Sequence, residues 1–144
     1  MQVRSLGHVV LKVRDLERAE AFYAGLLGLP VATRSPELGM TFFTLGDHHD
    51  FAIAAVGESA PAAPDNAPGL AHVAFKIGDD LDTLRAARAE LEAAGIAAVA
   101  REHGVSQSLY LRDPDGNVVE VYVDGADDWR RDASLVARSD PLTL

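Results

Sequence analysis

Leu109–Tyr122 reads LYLRDPDGNVVEVY, two runs of alternating apolar residues around Asp-Pro-Asp-Gly-Asn. Proline presets φ at the second position of a turn, and Gly116 or Asn117 takes positive φ at little cost. The stretch therefore reads as a β-hairpin. Period-two alternation sends Val119, Val121 and Val123 to one face of the second strand and Val118, Glu120 and Tyr122 to the other. A carboxylate within an apolar strand is costly unless something pairs with it. Two histidines elsewhere in the chain can supply that partner.

The first lies in Leu6–Val13, LGHVVLKV, a strand with Val9, Leu11 and Val13 on one face and Leu6, His8 and Val10 on the other. Asp15 is placed to cap a helix through about Leu27. Leu16, Ala19, Phe22 or Tyr23, and Leu26 give that helix one apolar face. Gly28 is its natural stop, and Pro30 prevents continuation. Three strands follow near Val31–Arg34, Met40–Leu45 and Phe51–Val56, with a turn at Gly46-Asp47 between the last two. Gly57–Gly69 (GESAPAAPDNAPG) has no periodicity and reads as a linker or surface loop.

Then the pattern begins again. Ala71–Ile77 is AHVAFKI, against GHVVLKV at Gly7–Val13, and His8 and Lys12 recur at equal spacing as His72 and Lys76. Asp79-Asp80 starts a second helix through Leu81, Leu84, Arg88 and Leu91, and Gly95 ends it. Strands near Ala97–Arg101, Gln107–Arg112 and Val118–Val123 complete the copy. The expected fold is α+β: two tandem βαβββ modules forming one curved mixed sheet around a metal-binding cavity. Within a single domain, module 1 covers about residues 5–57, the linker 58–69, module 2 about 70–124 and a tail 125–144. The tail carries Trp129 among charges and reads as a short helix without chemistry.

Composition narrows the function. The chain has 144 residues, enough for a real core in one domain. It has no cysteine, so a disulfide framework, a thiolate metal site and a thiol nucleophile are all excluded. A net charge of −9 argues against nucleic acid, which needs a basic footprint. No apolar run approaches the ~20 residues that span a bilayer, and no secretory leader is legible. The cytoplasm is the expected location.

His8, His72 and Glu120 each sit opposite an apolar stripe that would pack under its module's helix. A lone strand histidine is ordinarily a satisfied polar residue. Two of them in matching positions, with an inward carboxylate, make a 2-His-1-carboxylate metal set. That set suits non-haem Fe(II), with Mn(II), Zn(II) or Ni(II) left open by spacing alone.

GHVVLKV, AEAFYAGLLGLPV, AHVAFKI and LRDPDGNVVEVY together resemble the vicinal oxygen chelate superfamily over about Leu6 to Val123. That superfamily includes glyoxalase I, fosfomycin and bleomycin resistance proteins, methylmalonyl-CoA epimerase and type I extradiol dioxygenases. The resemblance implies that His8, His72 and Glu120 are the metal ligands. In glyoxalase I a fourth ligand lies late in the first module, where this chain reads AIAAV (Ala52–Val56) and offers no donor. Three ligands favour the dioxygenase branch.

The same resemblance marks three further residues. Asp47-His48-His49-Asp50-Phe51-Ala52 is similar to the extradiol segment that carries the acid–base histidine, which makes that residue His49, although strict alternation would turn His48 inward. Tyr110 precedes Glu120 as the extradiol tyrosine precedes its glutamate ligand. His103-Gly104-Val105 resembles the family's His-Gly loop, with a slightly short spacing to Tyr110. The implied activity is extradiol cleavage of a catechol-like diol by O₂, with a homodimer as the usual assembly. The alternatives are a glyoxalase-like lyase or isomerase, a fosfomycin-type thiol transferase, and a bleomycin-resistance-like binding protein.

Overall fold

The computed structural model describes residues 1–64, 66–125 and 127–144. The chain divides into two compact units, Met1–Asp65 and Asn66–Leu144. Both are mixed α+β, as the two-module reading expects.

In the first unit, β1 (Val9–Val13) leads into α1 (Leu16–Glu20), followed by β2 (Val31–Ser35), β3 (Met40–Phe43) and β4 (Phe51–Ala55). The sheet order is β1-β4-β3-β2; β1 and β4 are parallel and the other pairs antiparallel. Asp15 caps α1 as expected, accepting from the Arg18 N–H at 2.7 Å. The helix does not stay α-helical to Leu27. From Ala21 to Leu26 it widens to π geometry, with Leu27 N–H donating to Phe22 O. Widening lets consecutive residues face inward together, so Phe22 and Tyr23 are both buried. Tyr23 then packs 4.9 Å from Phe51 and 6.3 Å from Phe43, ring to ring. Gly28 stops the segment at φ +72°.

The second unit repeats the plan with β5 (Val73–Gly78), α2 (Leu81–Ala93), β6 (Val99–Glu102), β7 (Ser106–Arg112) and β8 (Val118–Asp124). Asp80 caps α2, and Leu84 and Leu91 are buried on its apolar face. The sheet order is β5-β8-β7-β6-β9, where β9 (Asp140–Pro141) comes from the tail. That fifth strand, and two short 3₁₀ turns at Asp127–Arg130 and Ala133–Ala137, replace the single short helix expected of the tail. Two residues carry too little periodicity to be read as a strand.

The hairpin at Asp113–Asn117 forms as read, but Gly116 alone takes positive φ. Asp113 Oδ1 accepts from the N–H groups of Asp115 and Asn117 at 2.9 and 2.8 Å, so the turn is held by side-chain chemistry. Val119, Val121 and Val123 are buried on one face of β8, as alternation requires. Among the described residues, no helix is long and apolar enough to cross a membrane.

Helix and sheet of the first unit are also joined by polar contacts. The Glu20 carboxylate accepts from Thr41 Oγ1 at 2.5 Å and from Arg34 Nε at 2.8 Å. Thr41 is buried, so Glu20→Ala leaves its hydroxyl without this acceptor. A loss of about 1–2 kcal/mol is expected in urea unfolding; an unchanged midpoint would contradict it. Arg34, ahead of Thr41, holds the Glu20 carboxyl below its ordinary value. A depressed folded pKa means that this contribution is full above the ordinary carboxylate pKa. It fades as pH falls through the folded value.

Candidate metal centre

In the first unit, His8 stands immediately before β1, not within it. Val9 N–H donates to Asp50 O at 3.1 Å, and this backbone bond joins the residue after His8 to the residue after His49. Their rings consequently meet, with centroids 4.2 Å apart and planes tilted by 38°. The Leu45–Asp50 segment is a turn folded around Asp50, whose Oδ2 accepts from the Leu45 N–H at 2.6 Å. Strand alternation does not operate in such a turn, so it does not decide which of the two adjacent histidines turns inward. His49 is half-buried, with the Phe42 ring edge-on at 5.5 Å, whereas His48 is exposed beside Asp47. Burial, followed by the neighbouring His8 and His48, holds the His49 imidazole below its ordinary pKa.

In the second unit, His72 stands immediately before β5. Strand register then lines up a row on one face: Ala74 opposite Glu120, Glu120 opposite Tyr110, Tyr110 opposite Val99. Glu120 is 7% exposed, and both its oxygens are engaged. Ser108 Oγ donates to Oε1 at 2.5 Å, and His72 Nε2 lies 3.1 Å from Oε2. Tyr110 has its ring edge-on to His72, with centroids 5.5 Å apart, and its hydroxyl is 3.0 Å from His103 Nε2. His103 Nδ1 is 2.7 Å from the Arg138 carbonyl oxygen. A carbonyl has no proton to give, so Nδ1 carries one; in the neutral ring Nε2 is then an acceptor for Tyr110. Burial first, then the Glu120 carboxylate, pushes the Tyr110 phenol up to about 12, with Arg101 pulling weakly the other way. Tyr110 is therefore a neutral donor across the physiological range.

Each unit thus gathers part of the expected set: His8 with His49 in one, His72 with Glu120, Tyr110 and His103 in the other. Sequence reading missed Ser108 and the Arg138 carbonyl. Ser108 was legible in principle, because it lies two residues before Tyr110 on the same strand face. The carbonyl was not, since it depends on where the tail runs.

The donor atoms suit a metal. A separation of 3.1 Å between an imidazole nitrogen and a carboxylate oxygen is what two adjacent ligands need when each lies ~2.0–2.2 Å from one ion. Matching strand registers also explain why a fourth ligand is missing. Val10 faces Ala52 in the first sheet as Ala74 faces Glu120 in the second, so alanine stands in the glutamate's place. Among the described residues, His8, His48 and His49 form another group whose nitrogens lie within 4.8 Å of one another.

Residues 5–121 match the Glyoxalase/Bleomycin resistance protein/Dioxygenase superfamily. A biphenyl-2,3-diol 1,2-dioxygenase of Rhodococcus globerulus is 36% identical over 83% of this chain and 63% of its own length. The chain therefore spans less than two thirds of that relative. The glutathione transferase FosA of Serratia marcescens is 30% identical over 84% of this chain and 82% of its own. Among solved structures, a lactoylglutathione lyase from Agrobacterium tumefaciens is 28% identical, with a TM-score of 0.65 over 90% of this chain and 98% of its own.

Proposed function

We propose that this chain, which belongs to the glyoxalase/bleomycin resistance protein/dioxygenase superfamily, is a metal-dependent extradiol dioxygenase acting on a catechol-like diol. His8, His72 and Glu120 would hold the ion, and the two-imidazole, one-carboxylate set favours Fe(II). The observation that carries the reading is the His49 imidazole against His8. That contact would set an imidazole base beside a metal ligand, where proton transfer from a diol hydroxyl needs one.

The bound metal supplies Lewis acidity towards the diol oxygens and a place where diol and O₂ meet. The protein's part is proton control. His49, neutral at physiological pH, takes a proton from one diol hydroxyl and returns it to the ring-opened product. Tyr110 would turn its one hydroxyl proton from His103 Nε2 to oxygen charge on the substrate. His103, fixed by the tail carbonyl, holds Tyr110 in position, and Ser108 holds Glu120.

Anaerobic loading with Fe(II), followed by oxygen uptake on a panel of catechols, tests the reading. Uptake in equal amount to the diol consumed is expected. No uptake with any catechol, together with isomerisation of a glutathione hemithioacetal, would overturn it in favour of a glyoxalase-type reaction. A homodimer accompanies the proposal, because Leu6, Val10 and Val99 stay exposed. Light scattering that gave a monomer mass would contradict that part.

A further inference from the structure

Arg101 has no carboxylate partner among the described residues. It lies half-buried on β6, and among the described residues it forms no side-chain hydrogen bond or ion pair. Several other arginines are paired, Arg18 with Glu58, Arg34 with Glu20, Arg88 with Glu92 and Arg138 with Asp140, while Arg4 and Arg131, which like Arg101 form no side-chain bond among the described residues, are exposed. In a chain with 22 acidic residues against 13 basic ones, an arginine left unpaired in a hollow needs a reason.

Arg101, Val99, Tyr110 and Ser139 line a cavity of about 450 Å³. Strand register fixes Arg101 relative to the candidate chemistry. It faces Ser108 across β6 and β7, and Ser108 is the donor to Glu120. Glu120 lies on β8, two strand spacings from β6, or roughly 10 Å. An aromatic ring with a short substituent, met by the arginine side chain, fills that span. A second hollow of about 540 Å³ shares Val99 and Tyr110 and is mostly apolar, with Ile96, Ala97 and Leu111 among its lining residues. Polar and apolar walls therefore meet at Tyr110.

We infer that the substrate is an aromatic diol bearing a carboxylate, and that Arg101 receives the carboxylate with the Ser139 hydroxyl beside it. The inference rests on the extradiol reading for the diol and on the cavity alone for the anion. A guanidinium offers a planar pair of donors that matches a carboxylate. One cation balances one negative charge, which favours a carboxylate over a doubly charged phosphate in a protein of net charge −9.

Two measurements separate the inference from the reading beneath it. The first is calorimetric binding of benzoate and of its neutral isostere benzamide to the full chain. Benzoate should bind at least about 10-fold more tightly, and Arg101→Gln should remove the difference, with partial recovery in Arg101→Lys. Equal binding of the two probes, or preference for benzoate surviving in Arg101→Gln, overturns the inference whatever the oxygen assay gives. The second is the ratio of kcat/KM for 3,4-dihydroxybenzoate over catechol in the Fe(II)-loaded enzyme. Arg101→Gln should lower that ratio about 10- to 100-fold; an unchanged ratio also overturns it. If benzoate is preferred through Arg101 but neither diol takes up oxygen, the carboxylate site stands and the diol assignment falls with the extradiol reading.

Discussion

His49→Phe should stay folded and metal-loaded while losing about 10²–10⁴ in turnover, the usual cost of removing a positioned acid–base group. The ring is held by the Val9-to-Asp50 backbone bond and by the Phe42 edge, neither of which depends on its nitrogens. Phenylalanine keeps that packing and removes only the proton chemistry. His48→Phe should change turnover by no more than a few-fold, because His48 is exposed and its contacts are to Asp47 and to His49's outer edge. Steady-state kinetics on both variants, with iron measured in each, checks the pair. Normal turnover in both would leave the metal assignment standing and remove His49 from the mechanism.

Glu120→Ala should abolish tight metal binding without unfolding the chain. The carboxylate is nearly buried among a hydroxyl, an imidazole and a phenol, so its replacement removes a donor from polar surroundings, not from the apolar core under α2. Ser108→Ala is the graded companion: the carboxylate remains but loses its supporting hydrogen bond, and an affinity loss of roughly 10- to 100-fold is expected. The same series decides between ligand sets. If the His8, His48 and His49 cluster held the ion instead, Glu120→Ala would retain metal and His48→Phe would lose it. Elemental analysis after dialysis distinguishes the two patterns directly.

Much of this was legible in one dimension because it depends on period and capping. The Asp113–Asn117 turn, the Asp15 and Asp80 caps, and the inward valines of β8 follow from local chemistry that tertiary structure did not override. Glu120 was visible as a carboxylate against that periodicity. What escaped detection depends on geometry that a pattern does not encode. Phe22 and Tyr23 both turn inward because the helix widens, and a 3.6-residue template must choose between them. The choice between His48 and His49 was obscured because alternation was extended into a turn. Arg101 shares a face with Tyr110 only through the β6–β7 register, and the clamp on His103 comes from a tail whose strand is two residues long. Each of these required knowing which strand lies beside which.

Turnover of a catechol under isotopically labelled dioxygen, with mass spectrometry of the product, tests the proposed chemistry most directly. Extradiol cleavage requires both labelled atoms to appear in the ring-opened product of the Fe(II)-loaded wild-type chain, and His49→Phe should form it far more slowly. A product with an intact ring, or one that carries no label from dioxygen, would contradict the assignment of this chain as a dioxygenase.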